Sequence, residues 1–279
     1  MTSTWPRRLL GDGRARLGLL LIGFLVAAAV LSPLIAPYDP IEQLDIVNKR
    51  LLSPNLEHLM GTDFYSRDLL SRVLYGARIS LAIAFLSILV SVTIGATVGM
   101  IAGYVGGVVD AILMRLVDAA LAIPRVFLLL VILALWDRVG VTGLVTVLGL
   151  SSWFGTSRIV RAEVLSLRQR DFVVAARSLG VGKVRILLRH VLPNAIAPVT
   201  VTATLGIGQI ILIEAGLSYL GVGVQEPIPS LGRMIRDGYE QIANAPWISI
   251  FPGLVIVLTV VGFSLVGDGL RKTLDPRAR

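Results

Sequence analysis

The sequence predicts an all-α integral membrane protein with six transmembrane helices and both termini in the cytoplasm. Three observations lead there. Of 279 residues, 55% are hydrophobic and only 16% charged, and the mean hydropathy is +0.80; soluble domains carry about 25% charge. Six apolar windows are long enough for a hydrocarbon core of about 30 Å at about 1.5 Å per helical residue. Lysine and arginine are distributed unequally between the two sets of connecting segments, as expected for a multi-span protein.

The windows follow in chain order. Residues 17–38 form the first, a charge-free run of 22 residues after Arg7, Arg8, Arg14 and Arg16. That exceeds the 7–15 apolar residues of a signal peptide and has no small-x-small cleavage site, so the expectation is a retained span. Residues 79–109 form the longest window, 139–157 a shorter one, and 191–213 and 241–267 complete the uninterrupted set. Window 119–136 is broken only by Arg125, close enough to a helix end to snorkel toward headgroups. Six spans put both termini on one side. With that side cytoplasmic, 17 basic residues lie inside and eight outside, five of those eight within 39–78 among six acidic residues.

The connecting segments carry further signals. Residues 39–65 read as an ordered extracytoplasmic loop ending at Gly61-Thr62-Asp63, a helix start. Leu69, Leu70, Val73, Leu74 and Ala77 then share a helical face. This predicts either an interfacial helix or one packed on the protein's own surface. Gly95, Gly99 and Gly103, four residues apart, form a smooth strip for close helix approach. Gly103-Tyr104 with Gly106-Gly107 marks a cytoplasmic turn.

The loop at about 161–194 is the most informative. Leu165, Phe172, Ala176 and Leu179 fall on one face of a short helix broken by Gly180 and Gly182. Val184, Leu187, Leu188 and Val191 line a second short helix that Pro193-Asn194 is expected to end. A basic surface segment lying on lipid would explain the charge. It would not require the small Ala175-Ala176 pair or the glycine break, which suit a helix gripped by a partner.

Catalytic chemistry finds little support. There is no cysteine, and the two histidines, His58 and His190, fall on opposite sides of the membrane. No catalytic residue and no metal site are expected. His190, beside Pro193, has the default role of bonding helix-end carbonyls. Gly180-Val-Gly182-Lys183 fails as a phosphate loop, because Arg177 stands where glycine is needed and Val184 where serine or threonine is needed. Glu214, at the end of a long apolar run, either lines or gates a pathway or bridges neighbouring spans. Asp110, Asp118 and Asp268 flank spans and are expected to anchor helix ends or pair with basic residues.

The stretch Asp171-Phe172-Val-Val174-Ala175-Ala176-Arg177-Ser178-Leu-Gly180, followed by Arg189-His190-Val-Leu-Pro193-Asn194, resembles the "EAA" loop of bacterial ABC importer permeases. Three other stretches resemble the second permease subunit of dipeptide, oligopeptide and nickel importers. They are His58 to Asp63 with Arg78 to Leu81, Glu214 to Gly221, and Gly267 to Arg271 with Leu274 to Arg277. The resemblance spans nearly the whole chain. It departs at Val174, where the motif's glutamate is expected.

The resemblance implies a type I importer fold in the bacterial inner membrane. It implies a second homologous permease, two ATPase subunits holding ATP and magnesium, an extracytoplasmic binding protein, and a peptide substrate. No cofactor is expected in this chain, and no nucleic acid. The loop, including Lys183, becomes the coupling element docking on the ATPase. Residues 1–72 form an N-terminal segment with the first span, 73–268 the permease core, and 269–279 a cytoplasmic tail. The alternatives are a nickel or other small-solute permease of the same superfamily, an intramembrane enzyme, which lacks a catalytic constellation, and a self-contained channel, which would not need a grip-shaped loop.

Overall fold

The computed structural model describes residues 9–136 and 139–274. The regular elements among them are all helices, with no named strand. Arg7, Arg8, Arg277 and Arg279 lie outside the described residues; of the expected tail, residues 269–274 continue the last helix and 275–279 lie outside the described residues.

Helix α1 (Gly13–Val30) starts on an N-cap: the Asp12 carboxylate accepts from the Arg14 and Ala15 amides. A short turn, α2 (Ser32–Ile35), follows. Helix α3 (Leu69–Val105) is one uninterrupted helix of 37 residues. The chain turns at Gly106 and Gly107, whose φ values of 71° and 59° suit glycine. Next come α4 (Gly107–Leu121), α5 (Arg125–Ala134) and α6 (Val141–Arg168), then the short α7 (Asp171–Ser178) and α8 (Lys183–Ile186). A π turn, Leu187–Val191, joins α8 to α9 (Leu192–Tyr219). Finally α10 (Leu231–Tyr239) leads to α11 (Trp247–Leu274).

Four helical segments are long and apolar enough to cross a membrane: α1, α3, Lys183–Tyr219 and α11. A fifth is obtained if α4 and α5, bent by 77°, count as one broken span. The break corrects the expectation of one helix over 119–136. Pro124 has no amide hydrogen and disfavours helical geometry at Ile123. Window 139–157 lies in α6 from residue 141 onward; the helix's 28 residues reach about 42 Å, although its serines, threonines and arginines leave it less apolar than the other four.

The packing fixes relative directions. Helices α3 and α6 run parallel. A Cβ on Gly149 would come 2.8 Å from Val90, one on Gly95 2.7 Å from the Thr156 Cβ, one on Gly99 2.5 Å from the Ser157 carbonyl oxygen, and one on Gly103 2.9 Å from the Arg161 carbonyl oxygen. Only glycine lets two backbones approach this closely along such a length. Helix α11 runs antiparallel to α1, with Gly18 against Gly262 and Gly269 against Ala15. Asp12 and Lys272 pair at 3.4 Å, so the start of α1 and the end of α11 lie together.

Residues 39–68 are tied to the same bundle rather than hanging free. Asp68, not Asp63, caps α3, accepting from the Ser71 amide and hydroxyl at 2.8 Å with the His58 Nδ1 at 2.9 Å. Asp63 instead closes a turn and pairs with Arg67 at 2.7 Å. Leu69 and Val73 are buried, but so are Ser71 and Arg72. The start of α3 is thus enclosed by the protein's own loop, which decides between the two readings of that segment. Arg67 and Arg233 reach Glu226, linking this loop to α10. Burial pushes the nearby Asp237 carboxyl up, against the pull of Arg233 and Arg72.

Candidate functional site

The loop expected at about 161–194 is mostly helical and shorter than expected. Helix α6 continues to Arg168, and Lys183 to Asn194 already belong to the helical run leading into α9. Between them, α7 has Asp171 in its first turn and Arg177 in its last, both favourable to the helix dipole. It ends in a Schellman motif. The Val181 amide donates to the Ala176 carbonyl, the Gly180 amide to the Arg177 carbonyl, and Gly180 takes φ 75°.

The buried face of α7 differs from the one expected. Val173 and Ala176 point inward, packing with Val164, Leu167, Ile186 and Val191. Phe172 and Leu179 point outward, Leu179 being 84% exposed, together with Val174, Ala175 and Ser178. In the next segment Ile186 and Val191 are buried while Val184 and Leu188 are exposed. The expected stripes fail because each helix has only one or two turns, and its inward direction is set by the ends of α6 and α9. The loop is therefore a small hook pinned to two long helices, showing solvent an apolar set edged by Arg177, Lys183, Arg185 and Arg189.

Pro193-Asn194 does not end a helix. Pro193 sits in the first turn of α9, where its missing amide hydrogen costs least. The ladder widens to π geometry just before it. The Asn194 side chain donates to the His190 carbonyl at 2.6 Å, so the His190 backbone, rather than its ring, takes part in this local bond.

Glu214 is fully buried in α9. Its carboxylate accepts from Ser80 of α3 and Ser218 of α9, both at 2.8 Å, and from Ser230 at 3.3 Å. Ser230 immediately precedes α10, so one side chain joins three helices. The Ser218 contact was legible from its i, i+4 spacing; Ser80 and Ser230 come from distant sequence and carried no local signal. Glu214→Gln keeps an acceptor and the volume, and is expected to cost under about 1 kcal/mol. Glu214→Ala strips three buried hydroxyls of their partner and leaves a void, and should cost about 2–3 kcal/mol. Thermal unfolding of the purified protein in detergent would measure both.

Asp110 and Asp118 of α4 meet α6. Asp110 accepts from Arg161, with Nη2 to Oδ2 at 2.6 Å, and Asp118 pairs with Arg158. Asp268 has no ion-pair partner among the described residues. Arg125, the first residue of α5, bonds Ser151, Ser152 and the Leu148 carbonyl of α6.

Comparison with known proteins agrees along the whole chain. Residues 95–279 match the family model described as binding-protein-dependent transport system inner membrane component. Residues 3–54 match that of the N-terminal TM domain of oligopeptide transport permease C. The dipeptide transport system permease protein of Alkalihalophilus pseudofirmus is 39% identical over 95% of this chain and 86% of its own length. A Brucella abortus permease provisionally assigned to a peptide transport system is 41% identical over 98% of this chain and 91% of its own length.

Proposed function

The chain belongs to the binding-protein-dependent transport system inner membrane component family, and we propose that it is one permease subunit of an ATP-driven importer of dipeptides or oligopeptides. As an ABC transporter permease it is a multi-pass inner-membrane protein. The peptide assignment rests on the relatives' designations.

Six spans fit the packing: α1, α3, the broken α4–α5 pair, α6, the Lys183–Tyr219 segment and α11. Because α6 lies parallel to α3 along its glycine seam, a chain that crosses in α3 must return through α4–α5 before crossing again in α6. Of the polar residues that make α6 less apolar, Thr156 and Ser157 are buried against α3 rather than turned to lipid. The excess of basic residues on one side supports a topology with both termini and the α7 hook in the cytoplasm.

The observation that carries the mechanism is the hook. Its inner face is locked to α6 and α9, and its outer face presents Phe172, Val174 and Leu179. A partner that seats this face and moves it also moves the ends of two long helices. That partner is one of two ATPase subunits, which hold ATP and magnesium; this chain has no catalytic role. A second permease completes the pathway, and an extracytoplasmic binding protein delivers the peptide. Glu214 serves the gate, because displacing α10 breaks its bond to Ser230. Alternating access then amounts to rocking of the helices about a central site.

Gentle purification of the chain from its native membrane, with quantitative mass spectrometry, tests the assembly. Stoichiometric recovery of a second permease and ATPase subunits is the expected result. Recovery of this chain alone from membranes active in peptide uptake would overturn it.

A further inference from the structure

Helices α4, α5 and α6 are joined by three polar rungs. At the first, Arg161 of α6 holds Asp110, and at the second, Arg158 of α6 holds Asp118. At the third the sense reverses: α5 supplies the cation, Arg125, and α6 offers only neutral groups. The Arg125 Nε lies 3.3 Å from the Ser151 hydroxyl, and Nη2 reaches the Ser152 hydroxyl and, at 3.4 Å, the Leu148 carbonyl. No carboxylate among the described residues pairs with it. Its Nη1 has no hydrogen-bond partner among the described residues and is not sealed from solvent. One edge of the guanidinium is therefore accessible.

The position of this charge is unusual. Ser151 and Ser152 lie within the expected span 139–157, about 9 Å from its C-terminal end. A cation at that depth is costly against lipid and is found facing a bundle interior or a water-filled cavity. Arg125 also sits immediately after the break between α4 and α5, and discontinuous helices are where transporters place ligand groups. Hydroxyls hold the guanidinium in place without neutralising it. A planar, permanently charged fork with one edge open matches a carboxylate.

We propose that Arg125 is a substrate-contacting residue that pairs with the C-terminal carboxylate of the peptide in transit. This rests on the peptide-importer reading above. The test uses the complete transporter, with its partner permease, ATPase subunits and binding protein, reconstituted in vesicles. Uptake of a peptide is compared with uptake of its C-terminally amidated analogue. Because the same binding protein is used throughout, its own preference cancels in the ratio between variants.

Arg125→Gln retains hydrogen-bond donors for Ser151 and Ser152 but removes the charge. It is expected to lower uptake of the free-acid peptide about tenfold or more and to leave the amide within about twofold of wild type. Arg125→Lys should recover part of the loss, since it restores the charge without the fork. Equal loss for both peptides would make Arg125 a structural peg, or the partner of an acid on another subunit, and would overturn the inference. So would no loss for either. Wild-type vesicles that import neither peptide would overturn the peptide reading itself, and this inference with it.

Discussion

Gly99→Leu is expected to destabilise the protein by about 3 kcal/mol or more, the upper end of overpacking costs. A Cβ at this position lies 2.5 Å from the Ser157 carbonyl oxygen and 2.8 Å from the Val160 Cβ. The first is backbone in the middle of α6 and cannot rotate aside. The two helices must separate, and the contacts at Gly95 and Gly103 loosen with them. Gly23 of α1 provides the control. A Cβ there meets nothing within 4 Å, so Gly23→Ala loses no packing and removes glycine's backbone entropy. It should stabilise by about 0.5–1 kcal/mol. Thermal unfolding in detergent should therefore move in opposite directions for the two variants. A Gly99→Leu protein that melts with wild type would mean that α3 and α6 are not in contact at this seam.

The same seam shows what the sequence makes legible and what it does not. Four-residue spacing of Gly95, Gly99 and Gly103 announces a close helix contact but not the helix it meets. Spans were readable where apolar residues run unbroken, as in α1, α3 and α11. The break at Pro124 was missed because hydropathy averages over a window, whereas one imino acid bends the chain locally. The start of α3 was misplaced by five residues because Asp63 and Asp68 are both competent caps. Their hydrogen-bond partners, His58 and Ser71 for Asp68 and Arg67 for Asp63, decide between them.

At the candidate site, the composition of the loop and its glycine break were legible. Gly180 takes the left-handed conformation that ends α7. The inward face of α7 was not legible. Helical periodicity needs several turns to define a direction, and α7 has about two. Its orientation comes from Val164, Leu167 and Val191 on other elements. Glu214 stood out as a lone acid in an apolar run, but its hydroxyl partners come from residues 80 and 230 as well as the adjacent turn.

That inward–outward division of α7 yields the sharpest functional expectation. Phe172→Asp combined with Leu179→Asp changes two exposed side chains. Exposed substitutions of this kind leave stability within about 0.5 kcal/mol, so the chain should still insert and melt as wild type does. If the hook seats in an ATPase, two charges placed in its apolar contact should each cost at least about 2 kcal/mol of docking, as at interface hot spots. ATP-driven uptake should then fall more than tenfold, and recovery of the ATPase with the permease should fall with it. Val173→Asp is the complementary variant. It buries a charge in the cluster joining α7 to α6 and α9, so both stability and uptake should be lost. Normal uptake by the Phe172→Asp, Leu179→Asp protein would remove the hook from the coupling path. Loss of uptake with the ATPase still bound would place its role after docking, in passing the motion to α6 and α9.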